Sequence, residues 1–128
     1  MSTNKTQNYN LHAWEPSDDF LRAEINENFA ALDAGAIQLL FGAYIGTSKD
    51  SSITSTQRID LPVTPRAVIL LHGVGVSPTY GHAGIMAPGY PLSPTLMPID
   101  ETGFTVASEP SGLKYNDKNA SYRYIVLY

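Results

Sequence analysis

From Leu39 onward the chain is a succession of short β-branched and aromatic runs, each cut off by proline or glycine before a helical period can establish itself. Leu39 to Gly46 is apolar and aromatic and ends on glycine. Ile53 to Leu61 alternates, with Ile59 and Leu61 on one face and Arg58 and Asp60 on the other. Pro62 and Pro65 bracket a turn before Ala67-Val68-Ile69-Leu70-Leu71, a continuous apolar run of the kind buried on both faces. Thr102 to Ala107 alternates around Phe104 and Val106. The closing run puts Tyr122, Tyr124, Val126 and Tyr128 on one face and Ile125 and Leu127 on the other, so the C-terminus is expected to be tied into a sheet. Many short strands with frequent turn signals predict an antiparallel β-sandwich.

One segment breaks this pattern. Leu21, Ile25, Phe29, Leu32 and Ala36 recur at spacings of three and four, which predicts a helix over 20–34 with a narrow apolar stripe. Ser17 is the expected N-cap, Asp18 and Asp19 suit the positive end of the helix dipole, and Gly35 is the expected stop. The preceding Asn8 to Pro16 lacks a helical period and reads as extended. A lone helix this short is marginal in water, so its stripe must pack, either on its own β body or against copies of itself as a short coiled coil. Residues 1–36 thus form an assembly segment and 37–128 a β knob. Leu21, Ile25, Phe29 and Leu32 are the candidate oligomer-interface residues.

Charge follows the same division. Up to Gly35 there are two basic residues against six acidic ones, so the whole net charge of −4 sits on this segment and the remainder is neutral. An acidic balance argues against nucleic acid or an anionic membrane surface as partner, since both require basic residues. No apolar run approaches a membrane span and no secretory leader is expected. The absence of cysteine excludes disulfides, thiolate metal sites and a thiol nucleophile. A chain of 128 residues buries only about two-thirds of its unfolded surface, so self-association would help it.

Five of the nine prolines and five of the ten glycines fall between residues 73 and 98. The stretch from Gly75 to Pro98 therefore reads as one long loop, and loops of that length are usually functional. Tyr80, His82 and Tyr90 offer flat amphipathic groups that stack on sugar faces or bury against a protein, and the scarcity of charge fits a neutral glycan. The alternative is that Ile85, Met86, Leu92, Leu96 and Met97 tuck the loop under a neighbouring subunit.

Enzymatic motifs are weak. His72-Gly73-Val74-Gly75 resembles an oxyanion loop, but no Gly-x-Ser-x-Gly elbow accompanies it. The same glycines lack the third glycine of a dinucleotide fingerprint, and Pro78 interrupts the required helix. His12, His72 and His82 share no element at ligand spacing; only threefold repetition of His72 or His82 about an axis would assemble a metal site. No catalytic residue, metal or cofactor is expected.

Two stretches carry a resemblance. Asn8 to Asp18 followed by Phe20-Leu21-Arg22-Ala23-Glu24-Ile25-Asn26-Glu27-Asn28-Phe29 is similar to the opening of tailed-bacteriophage tail-fibre and baseplate proteins. The body resembles the small β domains at fibre tips through Phe41-Gly42-Ala43-Tyr44-Ile45-Gly46, Ile59-Asp60-Leu61, Thr64 to Leu70, Gly103-Phe104-Thr105-Val106 and Tyr122-Arg123-Tyr124-Ile125. Such proteins carry a longer helical spacer; here the helix runs almost directly into the first strand, which favours a compact knob. The resemblance implies a virion or prophage structural protein, a homotrimeric knob contacting a host-surface glycan or protein, joined to other virion proteins by its N-terminal segment. The rival is a purely architectural virion part, such as a head-decoration or baseplate component.

Overall fold

The computed structural model describes residues 1–50, 52–71 and 83–128. They are mainly β, with one helix and antiparallel sheets, and divide into two compact units, Met1–Ile37 and Gln38–Tyr128.

The first unit joins a small ribbon to the helix. Strands β1 (Asn4–Lys5) and β2 (His12–Ala13) pair antiparallel, with Asn4 opposite Ala13. The connecting loop is closed by Thr6, whose amide donates to the Leu11 carbonyl at 2.8 Å, and by Asn10 at a φ of 53°. Helix α1 spans Arg22–Gly35. It starts later than predicted, because Ser17 is not its cap; Leu21 holds that position without a side-chain hydrogen bond. The cause is local competition. The Asp18 carboxylate accepts the amides of Thr3 and Glu15, each at 2.8 Å, and the Asp18 amide closes a turn onto the Glu15 carbonyl. Residues 15–18 are thereby committed to a turn instead of a first helical turn.

Among its described residues the second unit contains seven strands: β3 (Leu39–Ile45), β4 (Ser55–Asp60), β5 (Ala67–Leu71), β6 (Gly84–Met86), β7 (Ile99–Asp100), β8 (Gly103–Ser108) and β9 (Ser121–Leu127). They form a four-stranded sheet in the order β3-β9-β5-β6 and a three-stranded sheet in the order β4-β8-β7, with every pair antiparallel. The inner faces share one core. Val68, Leu70, Met86, Tyr122 and Val126 from the larger sheet meet Phe104 and Val106 from the smaller, and Met97 fills in from a connection. The Phe104 ring meets Tyr124 edge-on at 5.3 Å. Each such buried side chain contributes about 1.5–3 kcal/mol over leaving it in water.

Period-two alternation sets these faces as the sequence predicts for β9. Tyr44 stacks on Tyr122 with ring centroids 5.0 Å apart, and the Tyr44 hydroxyl donates to the Tyr115 carbonyl at 2.7 Å. The Tyr122 hydroxyl donates to the Lys114 carbonyl and accepts the Asp117 amide, both at 3.0 Å. Burial raises the Tyr44 pKa well above the usual phenol range and pushes Tyr122 up to about 12, so both remain neutral hydrogen-bonding struts. Gly42 lies under the Tyr124 ring, where any Cβ would collide with it. Buried Asn116 gathers the loops at one end: its side-chain oxygen accepts the Thr47 amide, and its own amide donates to the Ser108 hydroxyl.

Two sequence expectations change. The run Ala67–Leu71 is not buried on both faces: Val68 and Leu70 are enclosed, whereas Ala67, Ile69 and Leu71 are half-buried. The stretch 75–98 is not one loop either. Gly84–Met86 forms β6, paired with β5 so that Ile69 lies opposite Ile85. Met86 and Met97 are buried in this chain's own core and pin the stretch from both sides.

Candidate functional site

Of the three predicted contact residues, Tyr80 and His82 lie outside the described residues, as does His72. Tyr90 is 80 % exposed. It ends the turn Ala87-Pro88-Gly89-Tyr90, closed by reciprocal backbone hydrogen bonds between Ala87 and Tyr90 at 3.1 and 2.7 Å. Pro88 sets the entry of the turn and Gly89, at a φ of 82°, its exit, a division of labour that stiffens the base of the Tyr90 side chain. The ring is held outward on a short, defined support.

Within the first unit the predicted helix stripe is left uncovered. Leu21, Phe29 and Leu32 are exposed and Ile25 is half-buried. Phe29, Ala30, Leu32, Asp33 and Ala36 line a shallow depression of about 560 Å³.

The first unit also holds a polar cluster that sequence reasoning missed. Glu24, on α1, is only 5 % exposed. Its carboxylate accepts the Ser2 amide on both oxygens at 2.9 Å and the Trp14 indole N–H at 2.8 Å, and His12 Nδ1 lies 3.4 Å away. Burial by itself would raise the Glu24 pKa; the Ser2 and Trp14 hydrogen bonds and the neighbouring imidazole outweigh it and hold the carboxyl below its ordinary value. His12 Nε2 reaches Glu27 Oε2 at 2.7 Å, while Nδ1 meets the Ser2 hydroxyl at 2.6 Å. Asn28 clamps the His12 backbone, accepting its amide at 2.6 Å and donating to its carbonyl at 3.0 Å. The legible signal was spacing: His12 and Trp14 are two apart on an extended segment, and Glu24, Glu27 and Asn28 share one helix face.

Ser2, His12 and Glu27 are connected in the order of a nucleophile, base and acid. The surroundings oppose that use. Negative charge developing on or near the Ser2 oxygen would face the buried Glu24 carboxylate, and the Ser2 amide already donates to that carboxylate instead of to an oxyanion. The cluster is a lock between lead and helix.

Among the described residues no group of three or more His, Asp or Glu side chains could hold a metal ion, and no helix is long and apolar enough to cross a membrane. A polar cavity of about 420 Å³ lies between Ser48, Lys49, Asp50, Asp117 and Lys118, with charges of both signs and no aromatic wall. No protein-family model, curated protein or solved structure matches the chain.

Proposed function

We propose that this chain is a structural protein of a tailed-phage or prophage virion: a trimeric β-sandwich knob of the tail or fibre, without enzymatic activity, whose Tyr90 turn faces a host-surface glycan or protein. The observation that carries the reading is the apolar helix face that the first unit itself leaves uncovered, with Leu21 and Leu32 each 41 % and Phe29 65 % exposed. Contiguous apolar surface of this kind supports the reading, because it is what a neighbouring subunit would cover in an assembly. The virion assignment draws on the resemblance of the Trp14-containing lead and the β body to fibre and baseplate proteins. In such a particle the lead and helix join other virion proteins, and identical Tyr90 turns act together, so that weak single contacts add up to avid attachment.

The architectural alternative has one observation in its favour. Met86 and Met97 anchor the chain on either side of Tyr90 in its own core, which serves a cover segment as well as a binding loop. Binding decides between the two. Light scattering of the full chain at micromolar concentration is expected to give about 42 kDa, three times 13.9 kDa. The assembled protein is expected to bind host cells or a glycan array, and Tyr80→Ala combined with Tyr90→Ala to lose that binding while keeping the mass. A trimer that binds neither leaves the architectural part; a monomer overturns the knob altogether.

A further inference from the structure

The outer face of the four-stranded sheet has a composition found on no other described sheet surface. Its registers set Phe41 opposite Ile125, Ile125 opposite Ile69, and Ile69 opposite Ile85, so four large apolar side chains form one row across all four strands. Leu39 and Ile45 extend the patch along β3. Leu39, Phe41, Ile45 and Ile85 are 54, 69, 62 and 65 % exposed. Within these strands only Arg123 brings a charge to the face, in the next row between Ala43 and Leu71, and its side chain makes no ion pair or hydrogen bond with any described residue. The smaller sheet is dressed for water: Arg58 and Asp60 of β4 and Asp100 of β7 share its outer face, with Arg58 held by Asp100 through two hydrogen bonds at 2.7 and 2.9 Å.

The edge beside this face is also unguarded. Backbone hydrogen bonds join Gln38 to Tyr128 and Gly46 to Ala120, so the even-numbered residues of β3 bond inward to β9. The amides and carbonyls of Leu39, Phe41, Ala43 and Ile45 therefore point to the open edge. Exposed edges are normally blunted by charge, proline or brevity. The β4 edge carries Arg58 and Asp60, and β6 and β7 have three and two residues; β3 has seven and no charge or proline.

From these observations we infer that the outer face of the β3-β9-β5-β6 sheet, together with the open β3 edge, is the surface through which copies of this chain pack on one another. The occupant is a second copy for two physical reasons. First, the four most exposed side chains alone present roughly 400–500 Å² of apolar surface, and with their half-buried neighbours and the strand edge this approaches the roughly 800 Å² per partner of a stable interface. Second, permanent homo-oligomer interfaces resemble a core cut in half and are depleted of charge, and a face with a single off-centre Arg123 can turn towards copies of itself about a threefold axis with little repulsion. The inference rests on the homo-assembly in the proposed function but moves its principal seam from the helix to the sheet.

The test uses the full chain. Phe41 is exposed, so Phe41→Asp is expected to keep the wild-type circular dichroism while weakening association at least about a hundredfold, because the seam would lose its largest apolar side chain and take in a desolvated carboxylate. Phe29→Asp on the helix is expected to keep the assembled mass. Hydrogen exchange of the wild type gives a readout independent of any variant: the amides of Leu39, Phe41, Ala43 and Ile45 are expected to be protected at high concentration and to lose protection on dilution. An assembled Phe41→Asp protein, or edge amides exchanging freely in the assembly, overturns the sheet seam. If Phe29→Asp dissociates instead, the helix is the seam and the virion reading stands without the sheet. A wild-type monomer overturns both.

Discussion

The two units of this chain are held together by opposite means. In Gln38–Tyr128 the buried interior is predominantly apolar: Val68, Leu70, Met86, Met97, Phe104, Val106 and Val126 are almost wholly enclosed, and the polar residues Ser48, Ser108 and Asn116 are buried as well. In Met1–Ile37 the buried helix residue is Glu24, and the lead is fastened through Ser2, His12, Trp14 and Asn28. An apolar core tolerates changes of pH and salt and responds to volume. A core built on one carboxylate is indifferent to small volume changes and responds to protons. The body is therefore expected to be a constant scaffold, and the N-terminal unit the part that conditions can loosen.

The strongest way to break the contrast is to empty the body. Phe104→Ala is expected to cost about 3–5 kcal/mol, measured as a lower denaturation midpoint with an unchanged slope. Phe104 contacts both sheets through the shared core, so a loss below about 1 kcal/mol would show that the two sheets are not cooperatively coupled.

The second test acts on Glu24 and uses the single tryptophan, Trp14, as a reporter confined to the first unit. Glu24 and Asp18 both titrate below their ordinary values, Asp18 chiefly through the Thr3 hydroxyl and the amides of Glu15 and Thr3. A carboxyl depressed in the folded state contributes fully above the ordinary carboxylate range, and that contribution fades as pH falls through the folded pKa. Trp14 emission is thus expected to shift to the red on acidification below about pH 4, while the near-ultraviolet tyrosine signal of the body persists. Glu24→Gln, which keeps the shape but offers one acceptor oxygen in place of two, is expected to show the red-shifted emission already at neutral pH. Emission independent of pH in the wild type would remove the carboxylate from its assigned role.

The smallest effect is expected on the water-facing sheet. Asp100 sits well below the usual carboxylate range because Arg58 and then the Thr102 amide and hydroxyl bond to it, yet it is 56 % exposed. Exposed pairs of this kind stabilise little. Asp100→Asn is expected to leave the thermal midpoint nearly unchanged, and a large drop would mean that the Arg58 network carries more of the fold than its exposure allows.

Much of the body was legible in the residues because a strand advertises itself by a period of two. Tyr122, Tyr124 and Val126 point inward as their alternation predicts, and Phe104 and Val106 do the same on β8. Helix α1 was legible for the same kind of reason, through its three-and-four spacing. Its start was not, since Asp18 is equally suited to a helix's first turn and to capturing the amides of Thr3 and Glu15, and only the folded lead brings Thr3 within reach. The stretch 75–98 misled because proline and glycine mark turns without saying whether a strand as short as β6 lies between them.

The linear order of residues by itself determined where the helix and the longer strands β3, β4, β5, β8 and β9 lie and where the negative charge gathers, because periodicity and composition act over a few neighbouring residues. What the tertiary structure alone decided is which greasy side is covered. Ile69 and Val68 are adjacent and chemically alike, yet Val68 is enclosed and Ile69 shares an open face with Phe41, Ile125 and Ile85. Likewise, Ser2, His12, Trp14 and Glu24 become one cluster only when ribbon and helix meet. Burial and hydrogen bonding depend on partners distant in the chain, and no local pattern specifies those.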